Sequence, residues 1–187
     1  MQTWLSPRIK LLIALVGLLV IIQVANSLSG NALVGFGIIP RTLNGLVGII
    51  FAPFIHGDWE HLLSNLPPLL ILSALLLHDS IKAYARASAF IILVGGLMVW
   101  IIGRNAVHIG ASGWIFGLWG LLIAQGFLRR KLLDIIIALL VLFYFGAMAS
   151  GLLPVHQRIS TESHIAGAFS GILYAWLIHK KFRIKAS

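Results

Sequence analysis

Long apolar runs separated by short polar clusters dominate the chain, at about 10–28, 61–77, 84–102, 112–128, 132–150 and 164–179. Runs of about 20 apolar residues match the hydrocarbon thickness of a bilayer. No water is present there to satisfy backbone N–H and C=O groups, so each run is predicted to be a helix. Pro67 and Pro68 are placed near the start of the second run, where a missing N–H costs least. Residues 30–60 break the pattern. They carry Gly30, Gly35, Gly37, Pro40, Gly45, Gly48 and Pro53 yet stay apolar, which predicts a structured, partly helical loop in the membrane interface rather than a seventh span.

Composition agrees with this reading. Of 187 residues, 59% are hydrophobic and only 10% charged, with a mean hydropathy of +1.00. A soluble domain would carry roughly a quarter of its residues charged, so the solvent of this chain is the lipid bilayer. The expected fold class is all-α: a polytopic membrane protein with six transmembrane helices, residues 1–187 forming one membrane-embedded domain.

The net charge of +9 does not mark a nucleic-acid partner, because the basic residues sit between apolar runs rather than on one polar face. Numbering the loops from the N-terminus, one alternate set holds eleven Lys and Arg residues (Arg8, Lys10, Lys82, Arg86, Arg129–Lys131 and four beyond 179). The other set holds only Arg41, Arg104 and Arg158. The positive-inside rule then puts both termini in the cytoplasm, and a bacterial inner membrane is the expected location. Val24-Ala25-Asn26 loosely resembles a signal cleavage site, but the apolar run before it is long for a signal peptide, so an uncleaved helix is expected.

In that topology, spans two, four and six start at the outer face. Their outer ends carry His61 and Asn65, Ser112, and His164, so a hydroxyl, an amide and two imidazoles lie at similar depth. Polar groups inside a bundle are costly and mark function by default. His61 and Asn65, four apart, share a helix face. Ser112 opens span four within Gly110-Ala111-Ser112-Gly113, where unpaired backbone N–H groups suit a developing oxyanion. Gly113 and Gly117 are spaced small-xxx-small, and His164, Gly167 and Gly171 fall on one face of span six. If spans four and six pack through those glycines, Ser112 and His164 come together as nucleophile and base.

Each feature also has a plainer reading: Ser112 as a helix cap, the glycines as packing devices, His164 as a satisfied polar group, Asn65 as helix glue. Those readings do not explain the convergence on one face. His108, four residues before Ser112, either lines the cavity or bonds backbone in its loop. His156 is expected to be solvated, and His78 and His179 interfacial. No cofactor or metal is expected, since neither carboxylate nor Cys joins His56, His61 and His164. Cysteine is absent, which excludes a thiol nucleophile. No carboxylate lies mid-span, which argues against an aspartyl mechanism and a proton-coupled transporter. Glu162, two residues before His164, is expected to point elsewhere.

These motifs resemble those of the rhomboid intramembrane serine proteases, of the basic six-helix bacterial type, over roughly residues 45–180. His61-Leu62-Leu63-Ser64-Asn65 is similar to the family's His-x-x-x-Asn, Gly110-Ala111-Ser112-Gly113 to its Gly-x-Ser-Gly, and His164-Ile165-Ala166-Gly167 with Gly171 to its last-helix motif. The resemblance implies a Ser112–His164 dyad without an acidic third member, in a cavity open to the outer, periplasmic side. It implies oxyanion contacts from the Ser112 N–H, His61 and Asn65, with Gly110 keeping the backbone clear and His56 supporting the loop. It also implies membrane-anchored protein substrates cut in or near a transmembrane segment. Two positions depart from the pattern. Phe116 stands where Tyr commonly stacks on the catalytic His, and Pro40-Arg41 replaces a Trp-Arg pair. The competing expectations are a rhomboid-like protein that binds membrane helices without cutting them, and a small transporter or channel.

Overall fold

A computed structural model gives the structure of residues 2–153 and 160–186, with side chains described for 6–153 and 160–180. His156 and Arg158 therefore lie outside the described residues, as do the side chains of Lys181, Arg183 and Lys185. Among the described residues seven α-helices follow in order: α1 (Gln2–Leu28), α2 (Leu43–Phe51), α3 (Trp59–Leu77), α4 (Ile81–Ile102), α5 (Ser112–Arg129), α6 (Leu132–Phe145) and α7 (Thr161–Ala186). Short 3-10 segments occupy Ala32–Phe36, Ala52–Phe54 and Gly146–Leu152. The stretch between α1 and α3 is thus a structured and partly helical connection.

Local chemistry sets the helix starts. Thr42, Asp58 and Ser80 each accept a backbone N–H from the first turn of the helix they precede, satisfying one of its orphan donors. The Asp58 cap moves the start of α3 ahead of the expected His61, so Pro67 and Pro68 lie in the helix interior rather than near its beginning. Without those two N–H groups, the carbonyls of Leu63 and Ser64 lose their helical donors. The expected fifth span, 132–150, is regular only to Phe145. The Gly146-Ala-Met-Ala-Ser-Gly run continues as a 3-10 segment, and its two glycines are poor helix formers.

Among the described residues, four helical segments are long and apolar enough to cross a membrane: Ser6–Leu28, Trp59–Leu77, Ile81–Ile102 and Leu132–Leu152. α5 and α7 are not among them. α5 sits deepest in the bundle, and both spend part of their length on small residues that face each other instead of lipid. α5 is the central helix, packed against α3, α4, α6 and, most extensively, α7.

The α5–α7 contact is made backbone to backbone. A Cβ placed on Gly167 would collide with the Gly113 carbonyl oxygen, and one on Gly171 with that of Gly117. Gly120 faces the Ala168 carbonyl in the same way. At the far end of α5, Arg129 bonds Asp79 in bidentate fashion, at 2.6 and 3.2 Å, and lies 3.2 Å from Asp134. Asp134 is only 4% exposed, so this clasp joins the ends of three helices and gives the buried carboxylate a cationic partner.

Candidate active site

The opposite end of the bundle holds the polar residues singled out above. Ser112 is the first residue of α5. Ala111 precedes it as the cap position, and no side chain caps this helix. Ser112 Oγ makes no hydrogen bond among the described residues, so it is not the helix cap of the plainer reading. The first backbone bond of the helix runs from Ile115 N–H to Ala111 O at 2.9 Å, leaving the earlier N–H groups, including that of Ser112, for another acceptor.

The turn before Ser112 is held at successive residues. Gly110 N–H donates to Ala52 O at 2.9 Å, and Ala111 N–H donates to His56 Nε2 at 3.2 Å. Gly110 adopts φ +105°, a conformation open to glycine, and a Cβ there would lie 2.6 Å from His61 Nε2. His61 therefore lies directly against the turn that precedes Ser112. Asn65, 7% exposed one turn below, donates from Nδ2 to His61 O at 2.7 Å and retains a second amide hydrogen.

His164 is fixed on two sides. Its ring stacks on Phe116, with centroids 4.1 Å apart and planes 11° apart. Its Nδ1 lies 2.8 Å from Gly151 O. A carbonyl can only accept, so Nδ1 carries a proton, and in the neutral ring Nε2 keeps its lone pair, the tautomer a general base needs. Gly151 is packed close: a Cβ would meet Phe116 at 2.8 Å and His164 Nδ1 at 3.2 Å. Phe116 is one helical turn beyond Ser112, so the ring pair brings His164 to the Ser112 end of α5. Stacking is thus retained with Phe in place of Tyr.

His56 is fully buried, and its ring meets that of His61 edge-on at 4.9 Å. Burial, reinforced by the neighbouring His61, lowers its pKa from the ordinary 6.5 to about 4. Its Nε2 accepts the Ala111 N–H, which requires the neutral ring. An unfolded chain takes up this proton near pH 6.5 and the folded one only near 4. The folded state therefore loses stability as pH falls through that window, by about 3 kcal/mol in all. Unfolding temperatures in detergent should drop between pH 6.5 and 4, and His56→Gln should flatten that drop. An equally steep drop in His56→Gln would assign it to other groups.

Glu162 points away from the site, toward Arg104 at 3.8 Å. His108 does bond backbone, through Arg104 O at 3.1 Å, but it also contacts Ser160 Oγ at 2.6 Å. Two contributors escaped the sequence reading. The Gly151 carbonyl has no side-chain signature. Asn26 does carry a signal, as an amide at the end of an apolar run. It is fully buried, donating to His56 O at 3.0 Å and accepting from Leu33 N–H at 3.0 Å.

Comparison with known proteins agrees with this architecture. Residues 43–181 match the Rhomboid domain family. The chain is similar to an uncharacterised protein of Mycobacterium tuberculosis, with 38% identity over 176 residues covering 89% of this chain and 73% of that protein. An uncharacterised protein of Mycobacterium leprae is 33% identical over 184 residues, covering 94% and 72%. Rhomboid-like protein 11, chloroplastic, of Arabidopsis thaliana is 32% identical over 145 residues, covering 70% and 52%. The chain belongs to the rhomboid family and is an integral membrane protein.

Proposed function

We propose that this protein is an intramembrane serine endopeptidase that hydrolyses peptide bonds in or near transmembrane segments of membrane-anchored proteins. The observation that carries the reading is the state of His164. Its ring is clamped by Phe116 and the Gly151 carbonyl with Nε2 unprotonated, on a helix packed through glycines against the helix that Ser112 opens. A merely satisfied core histidine has no need of that orientation.

In this mechanism Ser112 Oγ attacks the substrate carbonyl while His164 Nε2 takes its proton. The peptide C–N bond breaks as His164 returns that proton to the leaving amine, and an acyl-enzyme forms on Ser112. His164 then activates water, which hydrolyses the ester. The tetrahedral oxyanion is held by the Ser112 N–H, His61 and the free amide hydrogen of Asn65, each contributing about 3–4 kcal/mol to the transition state. The whole chain acts as one membrane domain of six spans, α5 and α7 included, with both termini cytoplasmic and the site facing the periplasm. The connection around 30–60 moves to admit substrate and water. No acidic residue is needed to orient His164, because Gly151 O does so.

A serine-directed fluorophosphonate tests the reading without knowledge of the substrate. Wild type is expected to label, and Ser112→Ala and His164→Ala are not. Equal labelling of Ser112→Ala would remove the nucleophile assignment. A wild type that never labels would favour the helix-binding alternative.

A further inference from the structure

The proposed dyad residues stand at the starts of different helices, which meet there where Gly113 packs against Ser163. A hydrogen-bond chain forms a second link between the two starts. His108 is 2% exposed, and its backbone pairs in both directions with Ile38, at 2.9 Å each way. Its Nε2 lies 3.1 Å from Arg104 O, so in the neutral ring Nε2 carries the hydrogen and Nδ1 is the acceptor. The donor to Nδ1 is the Ser160 hydroxyl, 2.6 Å away.

Ser160 in turn accepts the Ser163 N–H at 3.2 Å, with Ser163 Oγ 2.6 Å away. Its carbonyl accepts the His164 N–H at 3.2 Å. One residue therefore bonds His108 through its side chain and His164 through its backbone. His108 stands four residues before Ser112, and Gly110 and Ala111 between them are pinned to Ala52 and His56. A Ser160 that served only as the cap of α7 would need the Ser163 N–H and nothing from His108. The neighbouring Arg104–Glu162 pair, at 3.8 Å with Arg104 41% exposed, is too long and too solvated to set the register itself.

We propose that His108 and Ser160 form a positioning pair that fixes the reach from Ser112 to His164. This inference rests on the protease reading. Its test uses the full-length protein in detergent, with a single-span reporter substrate for turnover, fluorophosphonate for Ser112 reactivity, and thermal unfolding for the fold. His108→Ala and Ser160→Ala should each lower kcat about 10- to 100-fold with KM within about twofold, the scale of a misplacement near 1 Å. Labelling should slow in step, and the double variant should fall no further than either single one. His108→Asn, whose Oδ1 stands where Nδ1 does, should recover most of the loss.

Unchanged kcat in the single variants, or additive losses in the double, would overturn the pairing. So would a loss that tracks the unfolding temperature and is not recovered by His108→Asn. Wild type that labels, with single variants labelling at its rate, overturns the positioning role alone. Wild type that neither cleaves nor labels removes the protease reading and this proposal together.

Discussion

Gly167→Val is expected to cost this protein a large part of its stability. The added Cβ would occupy the space of the Gly113 carbonyl oxygen, and neither backbone can yield without parting α5 from α7. Overpacking a core usually costs 1–3 kcal/mol when side chains can rearrange; here no side chain is available to move, so about 3 kcal/mol or more is expected. For a chain of this length that lowers the unfolding temperature by roughly 6–12 °C. Gly17→Ala is the contrasting change. Nothing lies within 4 Å of a Cβ at Gly17, and alanine is the better helix former, so its unfolding temperature should hold or rise slightly. Thermal unfolding of both variants in one detergent decides the matter. An unchanged midpoint for Gly167→Val would mean that the helices do not meet through these glycines.

His164→Ala is expected to do the reverse, removing activity while leaving the fold. Cleavage should fall roughly 10⁴-fold or more, because nucleophile and base act as a unit and loss of either abolishes the covalent route. The structural losses are the Phe116 stack, worth about 1 kcal/mol, and one hydrogen bond to Gly151 O. A small drop in unfolding temperature should therefore accompany a large drop in cleavage. Retention of more than a few per cent of wild-type turnover would assign the base to another group, such as His61, which packs against Gly110.

Most of this arrangement is legible in the sequence because membrane burial makes polar residues and glycines expensive to keep. His61, Asn65, Ser112 and His164 stood out for that reason, and the Gly113/Gly117 and Gly167/Gly171 spacings pointed to the face on which α5 and α7 meet. Apolar runs located the helices but not their ends. Asp58, a cap lying outside the second run, carried α3 past the expected start and left Pro67 and Pro68 internal, while Gly146 and Gly151 shortened α6.

What could not be read is the work done by backbone. The Gly151 carbonyl that sets the His164 tautomer has no side chain to announce it, and the bond from Ala111 N–H to His56 depends on a turn only the folded chain defines. His108 was visible as a histidine, but its partner Ser160 lies 52 residues away and becomes adjacent only when α7 docks.

The most direct measurement is cleavage of a single-span membrane substrate in detergent by wild type beside Ser112→Ala and His164→Ala, with unfolding temperatures recorded for all three. Cleavage by wild type alone, with all three proteins folded, is the expected result. Cleavage that survives in folded Ser112→Ala would contradict the account.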